Sequence, residues 1–182
     1  MRARLYLDVD GVVNATNARL IWGDEESASV TLHSVVGPDK VFTVVWAPAL
    51  IAALDDLRAD FDLDLVWLST WNEGHSVLTG LVPAFGGLER GRILPYHPEE
   101  KVHGEASGWW KARSILDDQA AAPAPFIWID DVEIELHGYR MLNAPTGMSV
   151  LMIPTNTMAG LTPDDVTKMR SWLEQLSGKA DR

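Results

Sequence analysis

"RLYLDVDGVVN", residues Arg4–Asn14, decides how the rest of the chain is read. Leu5, Tyr6 and Leu7 are residues of a buried strand, yet Asp8 and Asp10 stand at its mouth. Placing like charges beside a core is expensive unless something compensates them. Gly11 follows at once, and a glycine allows a backbone turn that larger residues resist. Charge is gathered at the end of an apolar strand, so its purpose must be sought in what else arrives there.

Composition sets the limits. The 182 residues suit one ordinary domain, taken as residues 1–182. Hydrophobic residues make up 47%, which is a globular and not a disordered composition. The formal net charge of -11 argues against nonspecific binding to nucleic acid or to an anionic membrane, both of which call for a basic surface. Without cysteine there is no disulfide framework. The N-terminus reads as a strand and lacks the layout of a secretion signal, and no apolar run approaches the ~20 residues that span a bilayer. The expectation is a cytoplasmic protein with no membrane partner.

Working outward from the first strand, β-rich and helical patterns alternate. Residues 28–36 and 40–46 flank Gly37-Pro38-Asp39, strong turn chemistry, and read as a hairpin. Residues 47–61 carry Leu50, Ile51, Leu54 and Leu57 at helical spacing, with Pro48 at the start. "LDLVWLST", residues 63–70, is almost continuously apolar, like a strand covered on both faces. Residues 73–85 read as a short helix, 92–96 as a short strand, and 107–119 as a helix capped by Ser107. "FIWIDD", residues 126–131, is a second buried strand ending in a carboxylate pair, and 149–154 is the last strand. A C-terminal helix opens at Thr162-Pro163, with Asp165 closing a capping box and Val166, Met169, Trp172, Leu173 and Leu176 as its apolar stripe.

This alternation predicts a three-layer, Rossmann-like α/β fold with a mostly parallel central sheet. Residues 14–46 form a small β-hairpin flap after the first strand, too short for a large cap domain. Ligands of such sheets bind beyond the carboxyl ends of the strands. At those ends lie Asp8 and Asp10, Ser69 and Thr70, and Asp130 and Asp131, with Lys111 in the helix preceding the last pair. Four carboxylates in one place repel unless a cation sits among them, and Mg²⁺, a hard oxygen-seeking ion, fits best. Lys111 adds a compact second cation, and Ser69 or Thr70 a hydroxyl for a nonbridging oxygen. That inventory suits phosphoryl transfer.

"DVDGVVN", "LVWLST", "WWK" and "WIDD" follow the order of the four motifs of haloacid dehalogenase-like (HAD) phosphohydrolases. With the late "AGLT", the chain resembles the small HAD domains of phage and actinobacterial proteins and of RNA-repair proteins, from Arg4 to about Thr162. The resemblance implies an aspartyl-phosphate phosphomonoesterase. Asp8 would be the nucleophile and Asp10 the general acid and then base, with a kink at Gly11 letting both approach one phosphate. Ser69, with Thr70 as the alternative, would hold the phosphate together with Lys111. Asp8, Asp10 through its backbone carbonyl, and Asp130 would bind Mg²⁺, with Asp131 as a further or alternative ligand.

Plainer readings stand beside these. Asp130 and Asp131 also suit a helix N-cap, Ser69 a cap of the next helix, Lys111 a surface lysine, and Lys101 is its rival. Trp67, Trp128 and Trp172 fall on packing positions. Trp71 is the preferred platform for a base or sugar, Trp109 and Trp110 could border the substrate, and Asn14 and Asn72 could reach the site edge. His75, His97 and His103 show no metal-ligand spacing. The small flap leaves room for a phosphate on a larger molecule, so the expected partner is a small phosphorylated substrate or a nucleic-acid end. The competing functions are a binding module for phosphorylated ligands or partners that has lost catalysis, and a receiver-type phosphoacceptor domain. Its acidic pair would sit at the first strand and its acceptor on a central one, the reverse of the order here.

Overall fold

The computed structural model describes residues 2–96, 109–142 and 149–180. Five parallel strands build the central sheet: β1 (Arg4–Leu7), β4 (Asp64–Trp67), β5 (Arg92–Ile93), β6 (Phe126–Asp130) and β7 (Val150–Pro154). Their order is β5-β4-β1-β6-β7, which puts β1 in the middle. Its four residues pair with Asp64–Trp67 on one side and Phe126–Ile129 on the other. The antiparallel hairpin β2 (Glu26–Leu32) and β3 (Lys40–Trp46) stands apart from this sheet. The α/β architecture is the one read from the sequence. Among the described residues no large cap accompanies the hairpin.

Strand periodicity divides the core between two faces. Leu5, Leu7, Leu65, Trp67, Ile127 and Ile129 belong to one buried cluster with helices α2 (Pro48–Phe61) and α7 (Pro163–Ala180). Tyr6, Val66, Leu68, Phe126 and Trp128 point the other way, against α4 (Trp109–Ala121), α5 (Glu133–His137) and α6 (Tyr139–Leu142). Burial on both faces explains why these strands are continuous apolar runs. Trp67 and Trp128 are core packing, and Trp172 packs half-buried against the first cluster.

The helix starts follow their local chemistry. In α2, Pro48 enters the first turn while Leu50, Ile51, Leu54 and Leu57 are buried. At α7 the capping box closes: Thr162 Oγ1 donates to Asp165 Oδ2 at 2.7 Å, and Asp165 N donates to Thr162 Oγ1 at 3.3 Å. The expected cap Ser107 lies outside the described residues, as do His97, Lys101 and His103.

Other boundaries differ from the sequence reading. β2 ends at Leu32 and not at Val36, because side chains take over the backbone donors beyond it. Asp39 Oδ1 accepts from Ser34 N at 3.1 Å, and Glu73 Oε1 accepts from Val35 N at 2.9 Å. The expected helix 73–85 is broken into a 3-10 turn (Thr70–His75), a π turn (Val77–Leu81) and α3 (Val82–Phe85). Gly74, with φ at 57°, causes the first break, and a Cβ there would collide with the His33 carbonyl. The flap also carries a short helix, α1 (Ala18–Trp22), that periodicity did not reveal. No described helix is long and apolar enough to cross a membrane.

Leu54 is fully buried between α2 and the sheet. Leu54→Ala is expected to lower the unfolding free energy by about 2–5 kcal/mol in a denaturant titration, whereas the exposed Leu20→Ala leaves it nearly unchanged.

Candidate active site

β1, β4 and β6 end side by side, and each delivers its polar residues to the same edge. Asp8 and Asp130 are buried there, and Lys111 reaches them from α4. Its Nζ lies 2.5 Å from Asp8 Oδ2 and 2.6 Å from Asp130 Oδ2. Asp8 Oδ1 accepts from Val9 N at 2.7 Å. Asp130 Oδ1 accepts from Val132 N and Glu133 N, at 3.0 and 2.6 Å. Thus one oxygen of Asp130 caps α5 while the other faces the lysine.

Asp131 joins them. Ligand oxygens of Asp8, Asp130 and Asp131 all lie within 4.8 Å of one another. Thr157 Oγ1 steadies Asp131 Oδ2 at 2.7 Å. Gly11, with φ at 67°, is the residue that makes room: a Cβ on it would overlap the Asp131 carboxylate. The first-motif turn is wound around the Val9 carbonyl, which accepts from Val12, Val13 and Asn14 N. Thr155 Oγ1 holds the Gly11 carbonyl at 2.7 Å, and Leu161 N holds the Val12 carbonyl at 3.0 Å. Gly11 therefore makes room for the Asp131 carboxylate.

The charges do not balance. Three carboxylates share one lysine, and burial raises the Asp8 carboxyl to about 7, with Lys111 opposing and Asp130 adding to the rise. Burial likewise raises Asp131 above the usual carboxylate range, against the Thr157 hydrogen bond. Lys111 is held above its ordinary value, the charges of Asp8 and Asp130 outweighing its own burial. An all-oxygen donor set with excess negative charge fits a hard divalent cation such as Mg²⁺.

Three sequence expectations are relocated, those for Trp71, Asn72 and Trp110. Asp10 is exposed, and its carboxylate lies outside the cluster of Asp8, Asp130 and Asp131. Its Oδ1 accepts from Asn14 Nδ2 at 2.7 Å and its Oδ2 from Trp71 Nε1 at 3.0 Å. Trp71 is buried, with its ring edge-on to Phe42 of β3, so it offers no open stacking platform. Asn72 does not reach outward: its buried Nδ2 donates to the Trp67 and Leu94 carbonyls, both at 2.7 Å, tying the strand end to the segment after β5. Trp110 is core packing against Tyr96, and the Trp109 side chain lies outside the described residues. Ser69 is buried at the end of β4, and its Oγ accepts from Trp71 N at 3.4 Å, so it also caps the 3-10 turn. Thr70 is half-buried and lines a cavity of about 130 Å³ together with Asp10, Asn14, Leu32, Phe42 and Trp71.

Sequence reasoning missed Thr155 and Thr157. They follow β7, and the rule that polar residues at the carboxyl ends of the strands build the site would have found them had the last strand been included. A larger cavity, about 650 Å³, is lined by Arg2, Asp62, Asp64 and Arg90 toward the opposite ends of the strands. It shares no residue with the acidic cluster.

A family model described as the HAD domain in Swiss Army Knife RNA repair proteins matches residues 4–166. No curated protein and no solved structure matches the chain.

Because its raised carboxyl favours the protonated folded state, Asp8 stabilises the metal-free protein fully below about pH 4, and this contribution is lost as pH rises to about 7. Asp8→Asn removes the titration. Its melting temperature minus that of the wild type, measured in chelator, is expected to grow from pH 4 to pH 7 and to be positive at pH 8. A negative difference at pH 8 would contradict the burial argument.

Proposed function

The chain belongs to the family of HAD domains in Swiss Army Knife RNA repair proteins, and from that premise we propose that it is a Mg²⁺-dependent phosphomonoesterase working through an aspartyl-phosphate on Asp8. The observation that carries this reading is Lys111 seated between Asp8 and Asp130, with Asp131 within ligand distance. Asp8, Asp130 and Asp131, with the backbone carbonyl of Asp10, would hold the metal. Bound there, it would supply positive charge against the phosphate oxygens and the crowded carboxylates.

The chain's own groups account for the remaining chemistry. Lys111 places a fixed cation beside the proposed nucleophile and compensates charge developing on the phosphoryl group. Ser69, or Thr70, offers a hydroxyl to a nonbridging oxygen. In the first step an Asp8 oxygen forms a bond to phosphorus, the bond to the leaving oxygen breaks, and Asp10 gives that oxygen its proton. In the second, a water transfers a proton to Asp10 and attacks phosphorus, and the electron pair of the broken bond returns to the Asp8 carboxylate. Val9 N and Lys111 hold the two Asp8 oxygens in place for both steps.

The flap and the family support a substrate class. The only lid among the described residues is a hairpin, which supports a phosphate carried on a larger molecule. The family's RNA-repair description supports a nucleotide or a nucleic-acid terminus. Arg92 is tied to Asp64 and Asp118, and Arg113 lies 3.9 Å from Asp117 on α4. Specific recognition of an end, without general affinity for polyanions, agrees with the acidic net charge.

The test is phosphate release from p-nitrophenyl phosphate, nucleoside monophosphates and oligonucleotides phosphorylated at either end. Chelation should abolish release and Mg²⁺ should restore it. Asp8→Asn is expected to lower kcat at least about 10³-fold and Lys111→Met about 10²-fold or more. Phosphate from labelled substrate should be trapped on wild-type protein by acid quench and be absent from Asp8→Asn. Undiminished turnover in Asp8→Asn would refute the assignment.

A further inference from the structure

Asp10 is held by two neutral donors, one on each carboxylate oxygen, and each donor is tied to the flap. Asn14 Nδ2 donates to Oδ1 at 2.7 Å, while Asn14 Oδ1 accepts from Val45 N of β3 at 2.9 Å. Trp71 Nε1 donates to Oδ2 at 3.0 Å, and its indole meets the Phe42 ring of β3 at 5.6 Å between centroids, with the planes 69° apart. Trp71 is only 3% exposed, so packing fixes its ring and the N–H has one aim. Asn14 is itself pinned within the turn, its backbone N donating to Val9 O and its backbone O accepting from Gly11 N. Asp10, Asn14, Phe42, Thr70 and Trp71 border the same small cavity, so the clamp and the flap face one space.

We infer that Asn14 and Trp71 are positioning residues that orient the Asp10 carboxylate toward the leaving oxygen and couple that orientation to strand β3 of the flap. This rests on the reading of Asp10 as the acid and base of the proposed reaction. Two donors fixed by packing, one on each oxygen, hold the plane of the carboxyl group, so proton transfer to the leaving oxygen starts from an aligned geometry. Because both donors lean on β3, the position of the flap bears on the direction of the acid.

The test compares leaving groups. p-Nitrophenolate departs without a proton, whereas an alkoxide does not, and kcat/KM reports only the steps up to the aspartyl-phosphate. The variants are Trp71→Phe, which keeps a ring against Phe42 without the N–H, and Asn14→Ala, which removes the donor to Asp10 and the acceptor for Val45 N together. Each is assayed with p-nitrophenyl phosphate and with an alkyl phosphate drawn from nucleoside monophosphates and sugar phosphates. The expected result is a loss of about tenfold or more in kcat/KM on the alkyl ester and less than about twofold on the nitrophenyl ester. Equal losses on both esters would mark a merely structural role, and no loss on either would remove the clamp; both overturn the inference while leaving the phosphatase intact. A wild type that turns over neither class of ester, with Asp8→Asn indistinguishable from it, would instead remove the phosphatase reading and the clamp together. If either variant fails to fold, the other decides.

Discussion

The contact of Lys111 with Asp8 and Asp130 is the constraint around which the rest is arranged. Two carboxylates from neighbouring parallel strands are drawn to one ammonium in a buried setting, where each would otherwise be a severe desolvation penalty. The lysine cannot neutralise them all, since Asp131 stands close by. Burial of the Asp8 carboxyl is a standing cost to the fold, written in its upward displacement, to which Asp130 adds and which Lys111 opposes. A group held at such expense at the mouth of a sheet is a functional candidate on physical grounds.

The surroundings are built to hold that arrangement. Gly11 gives way to the Asp131 carboxylate, Thr155 fixes the Gly11 carbonyl, and Gly160 lets the loop after β7 lie against Val12 and Ala15. Three successive strand ends are therefore stitched into one surface by small residues and hydroxyls. Asp130 illustrates the economy of the design. It caps α5 with one oxygen and meets Lys111 with the other, so the helix orients the same carboxylate that the site uses.

The flap is bound to this surface from two sides. Glu73 and Ser76 hold its tip through Ser34, Val35 and His33, while Val45 and Phe42 reach the residues that grip Asp10. The 3-10 turn after β4 is distorted at Glu73 and Gly74 where the tip rests on it. The hairpin is thus anchored to the turns that follow β4 and β1, and its inner face packs into the same core cluster as the sheet.

From residues alone, the parallel sheet, the hairpin and the convergence of Asp8, Ser69, Lys111, Asp130 and Asp131 on one edge were legible. Strand periodicity and the order of the polar strand ends are local properties, and a parallel α/β sheet collects its carboxyl ends on one side by topology. The direction of individual side chains was not legible. Trp71 and Asn72 stand side by side in sequence with the same apparent promise, yet one turns its N–H to Asp10 and the other closes on the Trp67 and Leu94 carbonyls. Likewise Asp10 is two residues from Asp8, yet its carboxylate is held by Asn14 and Trp71 beside the flap and not by Lys111. Such choices depend on which donors the flap and the neighbouring strands bring within 3 Å. Only the closed tertiary packing supplies those partners, so only the structure decides them.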